Sequence, residues 1–156
     1  MKINPRSKSS GQLLVIVIIV LVLVGIGFWW LFSNKQQMAK EGNEFGRKVI
    51  QELVVQHNVK FFADHLSPAM RLQYPPSAQQ DLMTQMDRLG TPVSPPNVEG
   101  EIQFQSYFLL PIFEPNGNFH ARINYPARGA EINVSISHPV GRWQIDEIVF
   151  TAEAAR

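Results

Sequence analysis

No cysteine occurs among the 156 residues. That excludes a disulfide framework, a thiolate nucleophile and cysteine metal ligands. Charge is scarce as well: 14 Lys and Arg stand against 13 Asp and Glu, for a net charge of +1. Neither sign gathers into a stripe, so the electrostatic footprint of nucleic-acid binding is missing and no nucleic-acid partner is expected. No internal repeat or low-complexity run divides the chain. The four histidines, His57, His65, His120 and His138, lack metal-ligand spacing, and no carboxylate cluster joins them.

The longest absence is of polarity. From Leu13 to Phe32 every residue is apolar or Gly. As a helix this run spans roughly 30 Å, about the thickness of the bilayer hydrocarbon core. In hydrocarbon the backbone must satisfy its own hydrogen bonds, which makes a helix the expected form. A secretory signal has an apolar region of about 7–15 residues followed by a small-residue cleavage site. Here the run is longer and ends in Phe28, Trp29, Trp30, Leu31 and Phe32, with indoles suited to the membrane–water interface. The reading is an uncleaved transmembrane anchor, with the lipid bilayer as its partner. Lys2, Arg6 and Lys8 on one side nearly balance Lys35, Lys40, Arg47 and Lys48 on the other. Long domains translocate largely regardless of charge. The expected topology is therefore single-pass, with the N-terminus cytoplasmic and the C-terminal domain outside, periplasmic or extracytoplasmic.

The organisation that follows is a basic N-terminal tail (1–12), a transmembrane helix (13–32), a linker (33–40) and one folded domain (41–156). Apolar residues recur at helical spacing from Ala39 to Asp64: Phe45, Val49, Leu53, Phe61 and Phe62, with Ile50 and Val54 widening the stripe. Gly42 and Gly46 weaken the first turns by about 1 kcal/mol each against Ala and read as a flexible joint. The helix is expected to end near Ser67-Pro68. Ser77 with Gln80 reads as a capping box for a second helix whose apolar face is Leu82, Met83, Met86 and Leu89, stopped by Gly90. Three prolines make Thr91 to Asn97 an irregular connector. Four strands follow, over Glu101–Leu110, Phe119–Tyr125, Ile132–Ser137 and Trp143–Phe150. Their turns fall at Pro111 to Gly117, Pro126 to Gly129 and His138 to Gly141. The spacing of Ile145 and Ile148 requires a bulge near Asp146 or Glu147, and Gln144 falls on the outward phase. Trp143 shares the phase of Ile145 and is expected in the core. The predicted fold class is α+β: a single N-terminal transmembrane helix, then two helices packed on an antiparallel sheet of about four strands.

Two helices, a proline-rich connector and strands ending in Gly141-Arg-Trp-Gln-Ile-Asp-Glu-Ile-Val-Phe150 resemble the NTF2-like, cystatin-like α+β superfamily. So does Phe61-Phe-Ala-Asp-His-Leu-Ser-Pro68 at the end of the first helix. The similarity covers roughly residues 40–152 and includes Leu89-Gly90 and Gly117-Asn118-Phe119, as in small membrane-tethered envelope members of unassigned role. Some members of the superfamily are enzymes or bind small ligands between helix and sheet. Such a pocket would need an acid and a donor drawn from Tyr74, Tyr107, Tyr125, Asp64 and Asp146, and their spacing selects no set. An apolar helix running into an amphipathic one before four strands also resembles a type IV pilin or pseudopilin. Gly11 would be the processing site, but Gln12 and Ile16 depart from the aromatic or Met and the Glu that this family places there.

Other candidate chemistry has plain structural alternatives. Asp64 and His65 are neighbours on a helix, pointing about 100° apart, and read as a polar helix end. His57 sits on the apolar stripe, His120 on an outward strand position and His138 in a turn. Asn133-Val134-Ser135 matches a glycosylation sequon. Gly25-Ile26-Gly27 would let another membrane helix approach but lacks four-residue spacing. The expectation is a non-enzymatic binding or assembly module held at the membrane, with a protein partner in or at the membrane. No catalytic, metal or cofactor-binding residue and no cofactor is assigned. The alternatives are a ligand-binding or enzymatic cavity and a pilin-like subunit.

Overall fold

The computed structural model describes residues 9–105, 114–139 and 141–154. Contacts divide the chain into two compact units, Met1–Gln37 and Met38–Arg156. The architecture is α+β: a long N-terminal apolar helix, short helices and a four-stranded antiparallel open sheet. Helix α1 is Ser9–Val54.

In the first unit every side chain from Gly11 to Trp30 is exposed, and the most apolar window of the helix has a mean hydropathy of 3.0. Trp29 and Trp30 are 73% and 64% exposed. A helix apolar on all sides has no face to offer water. By length and composition this one is able to cross a membrane. The residues Lys2, Arg6 and Lys8 of the basic tail lie outside the described residues.

In the second unit the last turns of α1 bury Val49, Ile50, Leu53 and Val54. The helix predicted to continue to Asp64 instead stops at Val54. Asn58 is the reason: its Oδ1 accepts the Phe61 amide at 3.0 Å and starts a new helix, α2 (Val59–His65). His57, just before it, takes φ = 48°, in the left-handed region that reverses the chain. The apolar stripe persists across the break because Phe62 still faces the same core. Ser67 does not simply end a helix. Its Oγ accepts the Met70 amide and caps α3 (Pro68–Gln73), with Pro68 in the first turn. Helix α4 (Pro76–Asp87) begins with Pro75 at the cap and Pro76 in the first turn, not with Ser77. The Gln79 side chain serves the preceding loop instead, donating to the Tyr74 carbonyl at 2.8 Å.

Strands β1 (Asn97–Gln105), β2 (Glu114–Asn124), β3 (Gly129–Ser137) and β4 (Gln144–Ala152) form a meander in the order β1-β2-β3-β4. Asn116-Gly117, predicted as a turn, lies inside β2, paired with both Gln103-Ile102 and Ser137-Ile136. Gly117 is on the inner face, where a Cβ would stand 2.6 Å from Ile102 Cδ1. The missing side chain serves packing there, not a turn. The predicted bulge is present: Ser135 pairs with Glu147 and Ile136 with Ile145, leaving Asp146 extra. It also moves Gln144, predicted outward, to a buried position where Nε2 donates to Ser137 Oγ and Asp146 Oδ1. Tyr107, Phe108, Pro111 and Val140, which entered the strand and turn predictions, lie outside the described residues.

The inner face of the sheet carries Ile102, Phe119, Ala121, Ile123, Ala130, Ile132, Val134, Ile136, Ile145 and Ile148, all buried. Phe62, Leu66, Met70, Leu82, Met83 and Met86 complete the core from the helices. The segment joining α2 to α3 shields β4: Leu66 bridges Ile145, the Ser67 amide donates to the Ile145 carbonyl at 2.9 Å, and Tyr74 Oη donates to the Ile148 carbonyl at 3.4 Å.

Candidate functional site

The space between helices and sheet is filled, chiefly by Phe62 and Phe119 with the Ile, Leu and Met residues around them. Phe61, Phe104, Trp143 and Phe150 are half-buried around this core. Of the tyrosines and acids named for a pocket, Asp64, Tyr74 and Asp146 engage their own neighbours, and Tyr107 lies outside the described residues. Asp64 Oδ2 holds Lys60 Nζ at 3.2 Å, Tyr74 serves Ile148, and Asp146 accepts from Gln144. Tyr125 is buried with its hydroxyl unpartnered, and burial raises its pKa to about 12. Such a group holds its proton and is a poor base at neutral pH. Among the described residues no three His, Asp or Glu side chains are arranged to hold a metal.

A surface cluster of rings is the most developed feature outside the core. Phe45 from α1 lies 6.3 Å from Phe61 and 5.4 Å from His65, both from α2, and 6.4 Å from Trp143. The imidazole of His65 is 4.2 Å from the Phe61 ring, and its Nδ1 donates to the Phe61 carbonyl at 2.8 Å. His138 extends the cluster, 5.0 Å from Trp143. Lys48 Nζ stands 5.5 Å from the Phe61 ring centre, within cation–π range.

These rings border a surface cleft of about 250 Å³ lined by Phe45, Asp64, His65, Leu66, Arg142, Trp143 and Gln144. Trp143 is half-buried, and its Nε1 is buried without a hydrogen-bond partner. The sequence singled out His65 and Trp143 separately, one as a helix end and one as core. Helix α1 and the β3–β4 turn bring them to one surface through Phe45, which sequence reading counted only as a stripe residue.

His57 and His120 do not join them. His57 Nδ1 lies 3.5 Å from Asp87 Oδ1, linking the α1–α2 turn to the end of α4. His120, on the outer sheet face, is 3.9 Å from Glu131, which also pairs with Arg122 at 3.1 Å. Asn133, of the sequon, is exposed in the middle of β3. A Cβ built on Gly25 or Gly27 would meet nothing within 4 Å beyond the helix's own backbone.

No family model, curated protein or solved structure matches the chain.

Proposed function

We propose that this chain is a single-pass membrane protein that displays an NTF2-like α+β domain as a non-catalytic binding or assembly module outside the cytoplasm. The observation that carries the reading is the ring cluster at the cleft. Trp, Phe and Arg side chains partly desolvated at a surface are what dominates the energetics of protein interfaces. Support for the NTF2-like kinship is the helix laid across the inner face of a four-stranded meander. The filled core speaks for a module over a cavity enzyme.

Two measurements test this in membranes. The protein should stay in the pellet through alkaline carbonate extraction, since about twenty apolar residues hold it; release would refute the anchor. A photo-crosslinking residue at Arg142 should capture a discrete membrane protein that the same residue at Leu72, exposed on α3, does not. Equal capture at both sites, or none at Arg142, would refute the interaction surface.

The pilin-like alternative gains one observation, the run of α1 from Ser9 to Val54 into a sheet-packed end. Mass spectrometry of the mature N-terminus decides it: loss of Met1 to Gly11 supports a pilin-like subunit, and retention rules out that processing.

A further inference from the structure

No further inference is drawn: the strongest candidate, the groove of about 610 Å³ between α1 and the proline-rich connector, mixes aliphatic side chains with those of Arg47, Gln51, Thr91, Ser94 and Asn97, and nothing in the structure shows what covers it.

Discussion

Gly46 of α1 lies against the ring of Phe119: a Cβ built on it would stand 2.5 Å from Cδ2 and 2.6 Å from Cζ. One turn earlier, a Cβ on Gly42 would meet Trp143 Cη2 at 2.5 Å and Ile102 Cδ1 at 2.6 Å. These glycines are buried and set how closely the helix approaches the sheet. They are contact points where the sequence had suggested a loose joint. Gly46→Ala gains about 1 kcal/mol in helix propensity but overpacks a site whose neighbour, Phe119, is 1% exposed. Overpacking typically costs about 1–3 kcal/mol. The expected result is a lower melting temperature for the full-length protein in micelles, and a smaller drop for Gly42→Ala, because the half-buried Trp143 ring has room to shift. A rise in melting temperature for Gly46→Ala would refute the close-packing account.

Periodicity made the α+β class, the four strands and the bulge at Asp146 legible, because each rests on a repeating pattern. What it missed rests on single residues. The break before α2 depends on one Asn58 side chain and one left-handed His57, and the stripe of Phe61 and Phe62 continues across it as if nothing intervened. Asn116-Gly117 has turn composition, yet Gly117 is small because Ile102 and Phe119 crowd the inner face. The ring cluster was invisible for a similar reason. Phe45, His65 and Trp143 are far apart in sequence and meet only through the packing of α1 and α2 beside the β3–β4 turn.

Asn58 does two jobs at the α1–α2 junction. Its Oδ1 caps α2 at the Phe61 amide, and its Nδ2 donates to Glu52 Oε2 at 2.9 Å. Asn58→Ala removes both and should destabilise the domain by about 1–2 kcal/mol. Asn58→Asp keeps the cap acceptor while placing a carboxylate beside Glu52, so it should fall between wild type and Ala. Chemical denaturation of the three proteins gives the order, and an unchanged midpoint for Asn58→Ala would contradict the capping role.

Tyr125 gives a pH-dependent difference with a definite sign. Burial raises its pKa from 10.0 to about 12. Below pH 10 the phenol is neutral in folded and unfolded chains alike, and its contribution is fully present. Between pH 10 and about 12 the unfolded chain ionises while the folded one resists, so stability falls across that window. Tyr125→Phe removes this fall. It also removes a buried hydroxyl that has no partner, so at neutral pH the variant should be as stable as wild type or more so. The difference between the two stability–pH curves isolates Tyr125 from the other titrating groups. A flat difference above pH 10 would mean that the hydroxyl reaches water.

Trp143 and Gln144 depart from the roles that strand alternation assigned to them. Trp143 is half-buried, stacked 6.4 Å from Phe45 and tilted against His138 at 5.0 Å, while Gln144 is 7% exposed and bonded to Ser137 and Asp146. Truncating a fully buried Trp costs about 3–5 kcal/mol, and partial exposure should bring Trp143→Ala to the lower end of that range or beneath it. Gln144→Ala removes two side-chain hydrogen bonds and leaves Ser137 without one of its partners, at a cost of about 1 kcal/mol or more. Stability therefore separates the two only weakly, and crosslinking separates them sharply. If Trp143 belongs to the interaction surface, Trp143→Ala should weaken partner capture from Arg142 by more than its modest loss of stability explains, because interface energy concentrates in such residues. Gln144→Ala, which changes one edge of the cleft and leaves the rings in place, should weaken capture less than Trp143→Ala. Equal loss of capture in both variants would mean that the cleft matters only through folding. Loss confined to Trp143→Ala would make its indole the contact that a partner reads.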